Sequence, residues 1–564
     1  MKRRLAAAAA LALALWAGTL AGAPAPQATR GAGGAVAAAE ENAARVGIAI
    51  LERGGNAADA AVAVAFALAV TWPQAGNLGG GGFWTSRDRR GRVLTLDFRE
   101  TAPRAARRDL YLAPRAGGAA PSSTEGPLAS GVPGSVAGLA LAHRRAGRLP
   151  WRTVVEPAVR LARDGFVMTE SVSASIADEI ERLSADAATA RVFLPGRAAP
   201  APGTVFRQPD LARTLEAIRD RGEDGFYRGR VARAIEEGQK RSGGLITRGD
   251  LARYQAKVRK PVRFRFQGVD VVTTPAPSSG PVLAEMAMML EIAGATRFRE
   301  AGVESAHWLA EIEKRAFRDR NRWLGDPAFA GVDQKALTDR ARLKALVATI
   351  DPRRATPTAS LPSLPGEKPT TTHFSVIDGD GMAVSVTTTL NDSFGNARVA
   401  PGLGFLWNNE MDDFATRPGQ PNLFGLVQGE VNAVAPGKRM LSSMCPAIAV
   451  AGGKVVLVWG TPGGSTIPTT NLQVLLHRRL RGQGLEAAVA AARFHQQDQP
   501  DAIQIERGRF DAAWIDGLEK MGHAIQERGR IGCVHAIAVE PDGSLLAVAD
   551  SRGGGAALVV RETR

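Results

Sequence analysis

Thr370-Thr371-Thr372-His373 follows a stretch rich in Pro, Ser and Thr and leads directly into an alternating run that ends at Asp378. A threonine hydroxyl is a poor nucleophile until a base takes its proton, and a free α-amine on the same residue can be that base. With a reference pKa of roughly 7.7–8.0, such an amine keeps a useful neutral fraction near neutral pH. A threonine inside a chain has only a peptide nitrogen, which is no base. Catalysis of this kind therefore requires the backbone to be cut just before the nucleophile. The same four residues also suit an ordinary strand, so the rest of the chain has to decide.

Upstream, Pro352, Pro357, Pro362, Pro365 and Pro369 stand among Ser, Thr and Ala, a loop composition. Downstream, three hairpins alternate in strand fashion: Thr372–Asp378 with Ala383–Thr388, Ala447–Ala451 with Val455–Trp459, and Val534–Glu540 with Leu545–Ala549. Helical segments Leu472–Arg481 and Leu485–Arg493 separate the last two. Residues 140 to 350 follow a mainly helical pattern, as in Val154–Asp164, Ala212–Arg219 and Ser305–Asn321. From Asn56 to Thr71 an Ala/Val run broken only by Asp59 has no polar face, which suits a helix buried on all sides. Antiparallel strands with covering helices suggest an α/β fold of two stacked sheets between helical layers.

The chain has 564 residues, 45% of them hydrophobic, enough for a large core. Residues 1–25 read as an export signal: Lys2-Arg3-Arg4, an Ala/Leu stretch from Leu5 to about Leu20, then small residues at Ala21 and Ala23. The stretch is short for a helix of ~20 residues spanning a bilayer. A periplasmic or secreted location is expected. Such a space allows Cys445 and Cys533 to pair, although two cysteines make no stabilising framework. The formal charge of +15 comes largely from dispersed arginine without a basic run interleaved with aromatics, so nucleic acid is not an expected partner.

Gly79 to Gly82 lacks the Lys-Ser/Thr of a P-loop and the spacing of a dinucleotide fingerprint, leaving a tight turn or close backbone approach as its physical role. The seven histidines show no metal-ligand spacing and Gly-x-Ser-x-Gly is absent, so neither a metal nor a cofactor is expected. Arg99, at a strand end, can clamp a carboxylate through two hydrogen bonds or serve in a salt bridge. Asn408-Asn409-Glu410-Met411-Asp412-Asp413-Phe414 packs three carboxylates into four residues, suited to an ammonium group or to a solvated loop. Ser442-Ser443 and Pro462-Gly463-Gly464-Ser465 border strands, where hydroxyls and backbone N–H groups can meet a ligand. Two such N–H groups can stabilise a developing oxyanion.

Taken together these segments resemble γ-glutamyltranspeptidase, a family of N-terminal-nucleophile hydrolases. The matching blocks are Gly54–Ala61, Pro73–Phe83, Asp97–Glu100, Gly131–Gly138, Thr371–Val376, Asn408–Phe414, Leu441–Met444 and Pro462–Ser465, in one order across nearly the whole mature chain. The resemblance implies a four-layer α/β/β/α sandwich that cleaves itself between Thr370 and Thr371. It implies a large subunit of residues 26–370 and a small subunit of residues 371–564 that stay together as a heterodimer. Thr371 matches the nucleophile and Thr389 the threonine that positions it. Gly463 and Gly464 match the oxyanion hole. Arg99, Ser442 and Ser443 match the binders of the donor's α-carboxylate, and Asn391, Glu410 and Asp413 those of its α-ammonium. The implied donors are glutathione and other γ-glutamyl compounds, with water, amino acids or peptides as acceptors.

Two positions depart from the family pattern. Glu410 stands where many bacterial relatives have glutamine, adding a charge near Asp413 that favours a raised pKa. Phe424 takes the place of a tyrosine in the substrate-covering lid, which removes one hydroxyl. Competing expectations are a related acylase acting on β-lactam side chains, a relative acting on poly-γ-glutamate, and an unprocessed glutathione-binding protein.

Overall fold

The computed structural model describes residues 25–112, 120–329, 331, 334–358, 371–417 and 419–561. The proposed export signal up to residue 24, most of the proline-rich loop and Thr370 lie outside the described residues.

Two seven-stranded sheets carry the architecture. The first runs, in spatial order, Ala556–Val559, Gly34–Ala38, Thr371–Asp378, Ala383–Thr389, Gly81–Arg87, Val93–Asp97 and Lys257–Arg259. The second runs Gln27–Gly31, Leu545–Ala549, His535–Val539, Lys454–Gly460, Ala447–Ala451, Val269–Thr273 and Val262–Phe266. Every neighbouring pair within each sheet is antiparallel.

Side-chain alternation sorts these strands into layers, because successive residues of a strand face opposite ways. In the first sheet Val36, Phe374, Val376, Val384 and Val386 point into a core shared with helices such as Glu41–Glu52 and Ala57–Thr71. In the second, Ala447, Leu457, Trp459, Ala536 and Val548 pack under Gly280–Gly294, Val303–Trp323 and Ile467–Arg479. The opposite faces meet each other through Ala35, Ala37, Ile377, Ile448, Val458, Ile537 and Ala547. The order of layers is therefore α/β/β/α, as expected.

The helix Ala57–Thr71 is buried at every residue, and Asn56 with Asp59 forms a capping box at its start. The three expected hairpins are present. Two are extended by a residue or two, Thr371–Asp378 with Ala383–Thr389 and Ala447–Ala451 with Lys454–Gly460, while in the third the first strand is one residue shorter at each end, His535–Val539 with Leu545–Ala549. A fourth hairpin, Val262–Phe266 with Val269–Thr273, interrupts the region whose pattern is mainly helical. Gln267 and Gly268 both take positive φ there, the geometry of a two-residue turn matched to strand twist. Cys445 and Cys533 are free thiols, each buried.

Candidate active site

Thr371 is the first residue of its strand and pairs across the hairpin with Thr389. Both numbers are odd, so both side chains share the face of Ile377 that turns toward the second sheet. Their hydroxyls lie 3.3 Å apart in a hydrogen bond. Thr389 Oγ1 also accepts the Asn391 N–H at 2.9 Å, which fixes that oxygen from the other side. Asn391 reaches this position with a left-handed φ of 80°, a region asparagine tolerates better than most residues. Its amide donates to the Asn409 carbonyl at 3.1 Å, tying the threonine pair to the acidic loop.

Gly79 to Gly82 is a site of close approach. A Cβ at Gly80 would lie 2.1 Å from the Thr389 carbonyl oxygen, and one at Gly81 would lie 2.6 Å from a Glu100 carboxylate oxygen. Asn77 braces the same corner by donating to Thr388 Oγ1 and the Thr389 carbonyl while accepting from Gly80 N–H. These contacts bring Glu100, and with it Arg99, next to the threonine pair.

Arg99 is fully buried and meets three carboxylates. Its Nη1 lies 2.5 Å from Glu410 and 3.4 Å from Glu100, and its Nη2 contacts Asp413. The resemblance assigns Arg99 and this acidic pair to the two charged groups of one substrate head; in the structure they contact each other. A buried guanidinium needs nearby counter-charge. Burial opposes its charge, but Glu410, Asp413 and Glu100 together raise its pKa. Burial also raises the carboxylates: Glu100 is pushed up to about 7 despite Arg99, and Glu410 stands well above the ordinary range, helped by its acidic neighbours. Asp413 is raised by burial against the pull of Arg99 and Arg320. Glu410 has no well-angled hydrogen bond at either carboxylate oxygen, and Glu100 none at Oε1. For Glu410 the 2.5 Å contact is thus a charge contact with poor hydrogen-bond geometry. These oxygens can accept from an ammonium group, whose three N–H donors converge on such a cluster.

Ser442 and Ser443 close another side. Ser442 donates its N–H to the Pro277 carbonyl at 2.7 Å, and its Oγ accepts from Met444 N–H at 3.2 Å. Ser443 Oγ accepts from Arg320 at 3.1 Å. Gly463 and Gly464 follow the strand Lys454–Gly460 and lead into the helix Ile467–Arg479, so their N–H groups stand at a helix start, where acceptors within the helix are lacking. Their φ values of 143° and 54° suit glycine. Phe424 packs on Gly464 so closely that a Cβ there would lie 2.6 Å from the ring. Asn422 holds this segment to the charged cluster: its Oδ1 accepts from Phe424 and Leu426 N–H groups, and its amide donates to Asp413 at 3.3 Å.

All ten residues expected from the sequence are described and buried. The structure adds Glu100, Asn77, Asn422 and Arg320. Glu100 was visible only as the neighbour of Arg99, and Arg320 sits among Arg315, Arg318 and Arg322 with nothing in the sequence to single it out.

The sequence model described as Gamma-glutamyltranspeptidase matches residues 43–560. The chain is 44% identical over 537 residues to the glutathione hydrolase proenzyme of Pseudomonas aeruginosa, covering 94% of this chain and 95% of that one. It is 41% identical over 528 residues to the glutathione hydrolase proenzyme of Escherichia coli, covering 92% and 90%. Among solved structures, cephalosporin acylase from Bacillus halodurans superposes with a TM-score of 0.83 at 25% identity, over 94% of this chain and 96% of that one.

Proposed function

This chain belongs to the γ-glutamyltranspeptidase family and has the α/β/β/α sandwich of the N-terminal-nucleophile hydrolases, and on that premise we propose that it is a self-processing γ-glutamyltransferase and glutathione hydrolase. Thr371, freed by cleavage before it, uses its α-amine to take the proton from its own Oγ. The Oγ attacks the γ-carbonyl of the donor, and the N–H groups of Gly463 and Gly464 hold the resulting oxyanion. The C–N bond then breaks, and the leaving amine departs with a proton. A γ-glutamyl ester remains on Thr371. Water resolves the ester to glutamate, and an amino acid or peptide amine resolves it to a new γ-glutamyl compound.

The observation that carries this conclusion is the Thr371–Thr389 pair beside a buried cluster of both charge signs. The head of a γ-glutamyl donor brings one carboxylate and one ammonium, which suits Arg99 with Ser442 and Ser443 on one side and Asn391, Glu410 and Asp413 on the other. A glutaryl side chain, the alternative favoured by the likeness to a cephalosporin acylase, has no ammonium for the acids to meet. Purified enzyme should therefore turn over γ-glutamyl-p-nitroanilide at least about tenfold faster than glutaryl-p-nitroanilide, in line with the loss of a charge-assisted contact. The reverse preference would establish the acylase alternative. We propose further that residues 1–25 direct export and that the two subunits remain paired; fractionation of expressing cells with size measurement of the purified enzyme tests both.

A further inference from the structure

Arg320 projects from the helix Val303–Trp323 and is 1% exposed. Its neighbours Arg315 and Arg318 are ion-paired with Glu311 and Asp498. The other arginines buried as deeply, Arg99 and Arg493, also touch carboxylates. Arg320 forms no ion pair among the described residues, and its hydrogen bonds go to neutral oxygens. Nε donates to Ser279 Oγ at 3.1 Å, Nη1 to Asn321 Oδ1 at 3.0 Å and Nη2 to Ser443 Oγ at 3.1 Å. An uncompensated charge taken out of water is costly.

A guanidinium can only donate. Ser443 Oγ must therefore accept from it, which leaves the serine's own O–H proton for another acceptor. Ser279 extends the control: it accepts from Arg320 Nε and donates to the Ser442 carbonyl at 2.7 Å. One buried cation thus fixes the side chain of Ser443 and the main chain of Ser442. Burial lowers its pKa to about 10, with Asp413 and Arg99 the charges that act on it, so it stays protonated beside the cluster.

We propose that Arg320 is a positioning residue for donor recognition: it turns Ser443 into an obligatory hydrogen-bond donor, and its charge finds its counter-ion in the α-carboxylate of the bound γ-glutamyl group. This rests on the donor assignment made above. No contact between Arg320 and the reacting atoms is involved.

The test compares two substrates on processed, purified enzyme: γ-glutamyl-p-nitroanilide, and 4-aminobutyryl-p-nitroanilide, which keeps the ammonium but lacks the α-carboxylate. The wild type should prefer the first in kcat/KM. In Arg320→Gln that preference should shrink about tenfold or more, the scale of a lost charge-assisted hydrogen bond, through KM for the first substrate, with its kcat within about threefold. Arg320→Lys keeps the charge without the fork and should shrink the preference about threefold, so it carries the test if the glutamine variant does not mature. Equal losses on both substrates, or an unchanged preference in the lysine variant, would overturn the proposal by leaving Arg320 a structural role alone. A wild type indifferent to the α-carboxylate would overturn the donor assignment and this inference with it, a result distinguishable from failure in the variants alone.

Discussion

Thr389 Oγ1 sits between two partners, the Asn391 N–H and the Thr371 hydroxyl, so its position is set by backbone rather than by a freely rotating group. Replacing it with alanine leaves Thr371 without that restraint. In Thr389→Ala, kcat for γ-glutamyl-p-nitroanilide should fall about 10–100-fold, since small misplacements of a reacting group cost on that scale, with KM little changed and recovery in Thr389→Ser. Steady-state kinetics on matched amounts of processed enzyme decide this; a tenfold rise in KM at constant kcat would mean that Thr389 binds substrate instead. Glu100 gives a second residue-scale expectation. Burial raises its carboxyl from 4.5 to about 7, so the folded state favours the neutral form. Its stabilising contribution is complete below pH 4.5 and is lost as pH rises toward 7 and beyond. Glu100→Gln, neutral throughout, should gain on the wild type in Tm by on the order of a few degrees between pH 5 and pH 8. A Tm difference that stays flat across that range would contradict the assignment. Residue identities alone did not reveal this chemistry. Arg99, Glu410 and Asp413 were legible as charges, whereas their mutual pairing depends on burial and on a turn that brings residue 410 back to residue 99.

Among elements, the hairpin Thr371–Asp378 with Ala383–Thr389 was legible because Phe374, Val376, Val384 and Val386 recur at every second position to fill the helix-covered core, while smaller and more polar residues alternate with them on the face toward the second sheet. Its register was less so: facing Thr371 with Thr389 depends on the Gly379–Met382 connection. The hairpin Val262–Thr273 was hidden because Arg263 and Arg265 alternate with Phe264 and Phe266 over only a few residues inside a mainly helical stretch. The Asn422–Leu426 segment and the glycine turn make a testable pair. In Gly464→Ala the added methyl meets Phe424 at a φ of 54°, so the N–H groups proposed as oxyanion donors must shift. Its kcat should fall about 100-fold, near the effect of losing one oxyanion donor. Adding Phe424→Ala removes the clash but not the backbone strain and should restore part of the loss. No recovery in the double variant would show that strain at Gly464, and not the aromatic contact, dominates.

For the whole molecule, the four-layer arrangement was legible from hairpins and a helix without a polar face, because each sheet needs both faces covered once its alternation includes apolar residues on either side. What the sequence left open was the state of Cys445 and Cys533, since pairing depends on where the fold puts them. Both are buried thiols raised to about 12 by burial, which makes them unreactive. A thiol titration should find no reactive cysteine in the native enzyme and two per chain after denaturation without reductant. Finding none after denaturation would mean a disulfide and a different packing at these positions.

The central claim, that one threonine both completes maturation and performs the chemistry, is tested most directly on a denaturing gel. The N-terminus of the smaller band is sequenced, and the same sample is assayed with γ-glutamyl-p-nitroanilide beside Thr371→Ala. The account predicts a small subunit beginning at Thr371 with turnover in the wild type, and a single inactive full-length band in the variant. A Thr371→Ala protein that is processed and active like the wild type, or a wild-type protein that turns over substrate as one intact chain, would contradict it.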